Sequence, residues 1–152
     1  MIKIFIIEDK FAFGLEDVLK HLTVKNLKFE ITIFSTTLSA MRHLRINLDK
    51  IDLVIFNFGN NRDKEQYVKT NTEEFDVISE IERVARMMNN KKLLIIINSL
   101  RKLKLSDTMT EKEYFSKLKS RCGITIEHVE ELEGSYLYEF IEKNMPEKIE
   151  FQ

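Results

Sequence analysis

Ile2-Lys3-Ile4-Phe5-Ile6-Ile7-Glu8-Asp9 opens the chain as an almost unbroken apolar run closed by two acids. A continuous run of this length fits a strand buried on both faces, which is how strands inside a parallel sheet read. Two later runs have the same character, Leu53 to Phe56 and Leu93 to Ile97. Two others partly alternate: Glu30-Ile31-Thr32-Ile33-Phe34 and Ile124-Thr125-Ile126-Glu127-His128-Val129. Alternation fits a strand at a sheet edge with one drier face. The first, third and fourth runs therefore belong inside, and the second and fifth outside. Order 2-1-3-4-5 with right-handed crossovers satisfies this pattern. The expected fold is α/β: three layers around a five-stranded parallel sheet.

Helix-like stretches separate the runs. Leu15, Val18, Leu19 and Leu22 give one apolar stripe, Met41, Leu44 and Leu48 a second, and Ile78, Ile81, Ala85 and Met88 a third. The fourth helix has a start signal in Thr110 and Glu113, the spacing of a capping box, with Met109 and Tyr114 placed for a hydrophobic staple. Its stripe is Tyr114, Leu118 and Cys122, with Gly123 as C-terminal cap. The fifth runs from about Ser135 to Asn144, turns Leu137, Phe140 and Ile141 inward, and is stopped by Pro146. The residues after it read as a tail. Phe58 to Glu74 is polar, lacks a stripe, and reads as one long loop beside Glu8 and Asp9.

The 152 residues suit a single domain spanning 1–152, with the long loop at 58–74. Hydrophobic residues at 43% suffice for a core. Twenty-four basic against 25 acidic side chains leave a net charge of −1, which argues against nucleic acid as the main partner. One cysteine, Cys122, precludes an internal disulfide and suits a reducing compartment, and no apolar run approaches the roughly 20 residues needed to span a bilayer. Lys3 interrupts the opening run, which therefore does not read as a signal peptide. A cytoplasmic protein is expected.

In a doubly wound sheet the strand carboxyl ends form the binding crevice, so Glu8 and Asp9 are expected at its mouth. Two acids with a carbonyl can hold Mg²⁺, and the competing role for Asp9 is to cap the first helix. Asn57 and Ser99, which follow the third and fourth runs, are candidates for a polar pocket floor. Arg62 and Lys64 in the long loop are candidates for holding an anionic partner, against the commoner outcome of a solvated loop. Lys102, Lys104, Lys112, Lys117 and Lys119 make a basic stretch suited to an acidic partner or to solvent. His21, His43 and His128 lack metal-ligand spacing, and Cys122 reads as packing. No Gly-x-Gly-x-x-Gly or Walker A motif is present, and no nucleophile has a paired base.

Lys3-Ile4-Phe5-Ile6-Ile7-Glu8-Asp9 resembles the opening of the receiver domains of bacterial response regulators, where a strand ends in an acidic pair that holds Mg²⁺. Ile51-Asp52-Leu53-Val54-Ile55-Phe56-Asn57 resembles the third receiver strand, which normally ends in the phosphoacceptor Asp. Phe75 to Ile81 resembles the start of the third receiver helix, and Leu94 to Ser99 the fourth strand with its terminal hydroxyl residue. The resemblance implies a flavodoxin-like fold and a signalling role. It also implies a partner or homodimer face on the fourth helix, fifth strand and fifth helix, near which Tyr136 and Tyr138 are candidate contact anchors. Asn57 departs from the pattern, since a neutral amide forms no aspartyl phosphate. The family's Lys after the fifth strand is missing too: no Lys lies between Cys122 and Glu142, and Glu130 and Glu131 stand there instead. The expectation is a degenerate receiver that regulates by protein contact without phosphorylation, is not an enzyme, and binds Mg²⁺ weakly at most. Two rivals stand beside it. A Toprim-like Mg²⁺-dependent nucleic-acid enzyme would place its acidic pair at Asn57 and Gly59, neither of them acidic. A small-ligand-binding flavodoxin-like domain would use the crevice at Asn57 and Ser99.

Overall fold

The computed structural model describes residues 1–8, 15–34, 37–57, 82–83, 86, 94–98, 110–122 and 125–152. The fold is α/β. Five strands, β1 (Ile2–Glu8), β2 (Phe29–Phe34), β3 (Leu53–Asn57), β4 (Leu94–Asn98) and β5 (Thr125–Val129), form one sheet in the order β2-β1-β3-β4-β5. Every pairing is parallel. Among the described residues the helices with defined bounds are α1 (Leu15–Val24), α2 (Thr37–Asn47), α3 (Glu111–Cys122) and α4 (Gly134–Asn144).

The register fixes which side chains share a face. Ile4, Leu53 and Leu94 are in line, as are Ile6, Ile55 and Ile96. Ile2, Ile4, Ile6, Leu53, Ile55 and Ile96 join one core with α1 (Leu15, Val18, Leu22) and α4 (Leu137, Phe140, Ile141). The opposite face carries Phe5, Ile7, Val54 and Phe56, all buried. There α2 lays His43 against Phe34, whose ring lies 5.0 Å away, and α3 lays Phe115 against His128 at 6.4 Å. All five β3 side chains are buried, as a strand covered on both faces requires.

The helix stripes read from the sequence hold at α1 and α4. On α3 the Glu113 N–H donates to Thr110 Oγ1 at 3.2 Å, so the N-cap forms. Phe115 is buried beside Leu118 and Cys122, whereas Tyr114 is only half-buried. The third stripe at Ile78, Ile81, Ala85 and Met88, the staple residue Met109 and the cap Gly123 lie outside the described residues.

The end of the chain corrects the expectation of a tail. Met145 is buried, and Pro146–Lys148 form a 3-10 turn. Phe151 bridges antiparallel to Leu27, the Lys28 N–H donates to the Glu150 carbonyl at 2.8 Å, and the Gln152 N–H donates to that of Asn26 at 2.9 Å. Lys148 Nζ lies 3.7 Å from Asp52, whose other oxygen accepts the Lys3 N–H at 2.9 Å. The Met1 ammonium lies 3.0 Å from Glu150. The polar composition of residues 146–152 hid this because backbone hydrogen bonds, which need no apolar pattern, hold the segment.

α1 and α4 pack closely at one end. A Cβ added to Gly134 would lie 2.3 Å from His21 Cβ and 2.7 Å from its Cγ, atoms too near the backbone to swing away. Gly134→Ala is therefore expected to destabilise the fold by about 1–3 kcal/mol. Urea unfolding checks this; an unchanged midpoint contradicts the tight crossing.

Candidate functional site

The carboxyl ends of the central strands meet in one row. Glu8 pairs with Asn57, and Asn57 with Asn98, on three adjacent parallel strands. Asn57 is 1% exposed, the sole buried polar side chain among the described residues. Apolar burial of β3 up to Phe56 carries the amide inward with it. The row matches the sequence expectation for Glu8 and Asn57, whose backbones it juxtaposes. It also introduces Asn98, which the sequence reading passed over in favour of Ser99. The signal was available: β3 and β4 both end apolar-apolar-Asn, and equal ends in a parallel sheet fall side by side. Asp9, Ser99, Arg62, Lys64 and the loop 58–74 lie outside the described residues. Among the described residues no three His, Cys, Asp or Glu side chains gather as a metal cluster. Asp52 stands at the opposite end of β3, held by the Lys3 amide and Lys148, and so has a structural role.

A second place lies at the β5 edge. An open groove of about 540 Å³ between α3 and β5 is lined by Lys112, Phe115, Ser116, Lys119, Ile126 and His128. Phe115 and Ile126 form a buried floor, while Lys112, Ser116 and Lys119 are exposed on the rim. Lys112, Ser116 and Lys119 recur at four and three residues, which puts them on one side of α3. Glu127 also borders the groove, but its carboxylate accepts the Tyr136 hydroxyl of α4. Register assigns Glu127 to the α1–α4 face with Ile96, away from Ile126 and His128.

Tyr136 and Tyr138, singled out as contact anchors, are half-buried and engaged within the chain. Tyr136 also stacks on Phe140 at 6.3 Å, and Lys25 Nζ sits 5.4 Å over the Tyr138 ring. On the other face the Tyr114 hydroxyl donates to Glu82, which pairs with Arg86 at 3.7 Å. Cys122 is buried, in keeping with packing.

No family model, curated protein or solved structure matches the chain. Fold and sites define its class no further than an α/β domain with a parallel sheet and a polar row at the strand carboxyl ends. Among the described residues no helix is long and apolar enough to cross a membrane.

Burial, then the hydrogen bond to a carboxylate, then that carboxylate's charge push both Tyr114 and Tyr136 well above the ordinary tyrosine range. A hydroxyl whose pKa rises on folding favours the folded state below its unfolded value, near 10, and loses that contribution as pH climbs toward the folded value. Stability should fall as pH rises past about 10, and less steeply in Tyr136→Phe. Urea midpoints from neutral pH to pH 11 check this; identical slopes in the two proteins contradict it.

Proposed function

We propose that the chain is a phosphate-inert, receiver-like module of the flavodoxin-like class that regulates a partner by protein contact. One observation carries the reading: the register joins Glu8, in the first-strand acidic position, to Asn57, in the phosphoacceptor position, at the carboxyl ends of adjacent central strands. Asn57 presents a neutral amide there, buried to 1% exposure. An amide nitrogen, its lone pair delocalised, neither attacks a phosphoryl donor nor contributes charge to Mg²⁺. The strand order and the location of helices on both faces support the receiver-like class. The Glu130-Glu131 pair just after β5 supports phosphate indifference, since two carboxylates there repel a phosphoryl group where the family carries a lysine.

The test is chemical. Incubation with acetyl phosphate and Mg²⁺ should leave the intact mass unchanged; a gain of one phosphoryl group on a crevice residue overturns the reading. Asn57→Asp should tighten Mg²⁺ binding by restoring a carboxylate beside Glu8, measured by calorimetry or a Mg²⁺-dependent rise in Tm. Equal binding by both proteins would show that positions 8 and 57 do not share a cation.

A further inference from the structure

β2 closes one side of the sheet, and its register with β1 is unbroken from Ile2↔Phe29 to Ile7↔Phe34. The Ile2 N–H donates to the Lys28 carbonyl at 3.2 Å, so Lys28 turns its backbone groups toward β1. Backbone groups alternate in direction along a strand. Glu30 and Thr32 therefore also face β1, while the N–H and C=O of Phe29, Ile31 and Ile33 point outward. Among the described residues those outward groups have no hydrogen-bond partner. Only Phe34 of the strand is a buried side chain, and Ile33 is 54% exposed. Open edges are commonly blunted by lysine, proline or a bulge. β2 has none of these, and Glu30 is its sole charge. The other edge strand, β5, carries Glu127 and His128 and is followed by Glu130-Glu131.

We propose that this edge pairs antiparallel with β2 of a second copy of the chain about a two-fold axis, joining the two sheets into one. The strand is complementary to itself. Outward-facing residues pair only with outward-facing residues, and a register centred on Ile31 uses all of them. Phe29 then faces Ile33 of the second copy, Ile31 faces Ile31, and Ile33 faces Phe29, each pair exchanging both backbone bonds. A two-fold axis normal to the sheet keeps like faces together, so these side chains meet on the α1–α4 face. Phe29 and Ile31 already pack against that core, and the exposed Ile33 gains an aromatic neighbour. On the other face Glu30 stands opposite Thr32, whose hydroxyl can donate to the carboxylate. Sliding the strands one way sets Glu30 against Glu30 and leaves Ile33 without a strand partner; sliding them the other way leaves Phe29 without one. Charge and apolar pairing thus select the same register. A strand of 6 residues spans about 20 Å, which makes a small interface and a concentration-dependent dimer. The edge lies across the sheet from β5 and from the partner face that the receiver resemblance implies. The pairing does not rest on the phosphate-inert reading.

Sedimentation equilibrium of the full chain over a series of concentrations is expected to show a monomer–dimer exchange. Ile33→Lys, which sets a charge opposite Phe29, should weaken the dimer by more than about tenfold. The charge at position 32 reads the register. Thr32→Lys, opposite Glu30 of the second copy, should tighten the dimer severalfold, and Thr32→Glu should weaken it. Ser120→Lys adds the same charge on an exposed position of α3, beside the opposite edge of the sheet, and should dimerise as the parent does. Circular dichroism verifies that each variant folds, and the two Thr32 variants decide the matter if Ile33→Lys does not. A chain that stays monomeric up to about 1 mM overturns the assignment. So does a dimer indifferent to the sign of the charge at position 32, or one broken by Ser120→Lys.

Discussion

Burial of β3 on both faces is the constraint from which the remaining architecture follows. All five of its side chains are removed from water, and it pairs on one side with β1 and on the other with β4. A strand in that position cannot face solvent, so helices must cover the sheet above and below, α1 and α4 on one face, α2 and α3 on the other. Each apolar side chain so removed contributes about 1.5–3 kcal/mol relative to exposure. The same burial carries Asn57 inward at the end of the strand. A polar amide in that environment is costly unless hydrogen-bonded, and Asn57 is not left without a partner within the chain.

Much of this was legible in the chain. The continuous runs at Ile2–Ile7, Leu53–Phe56 and Leu93–Ile97 announced strands covered on both faces, and β1, β3 and β4 are the interior strands. Thr110 and Glu113 announced the start of α3, because a capping hydroxyl acts locally and needs no tertiary context. Side chains whose role depends on register were harder to read. Phe115 was passed over because Tyr114 sits one residue away and gives an equally good stripe with Leu118; the packing of α3 against His128 selects between them. Asn98 was missed because the neighbouring serine fitted a family pattern, whereas the partner of Asn57 is set by hydrogen-bond pairing. The C-terminal segment was misread because its attachment is made by backbone groups and the carboxylate of Asp52, neither of which leaves a periodic signature.

The two places of interest differ in the kind of chemistry they offer. The row at Glu8, Asn57 and Asn98 is built from backbone register, so its geometry is as rigid as the sheet. The α3–β5 groove is built across a helix and an edge strand, with long exposed lysines on its rim. The first is set by strand pairing alone, whereas the second combines a buried apolar floor with exposed cationic side chains. They meet at the β4–β5 edge, where Asn98 pairs with Val129 next to the groove residue His128.

The clasp formed by residues 26–28 with 150–152, joined by the Met1 ammonium, gathers both extremities of the sequence at the strand amino ends. Glu8 and Asn57 stand at the far rim of the same sheet. A fluorophore, affinity handle or fused reporter attached at residue 1 or residue 152 would thus emerge on the side away from that rim. Either attachment point leaves the polar row unobstructed, though a bulky group at residue 1 would compete with Glu150 for the amino terminus it now holds.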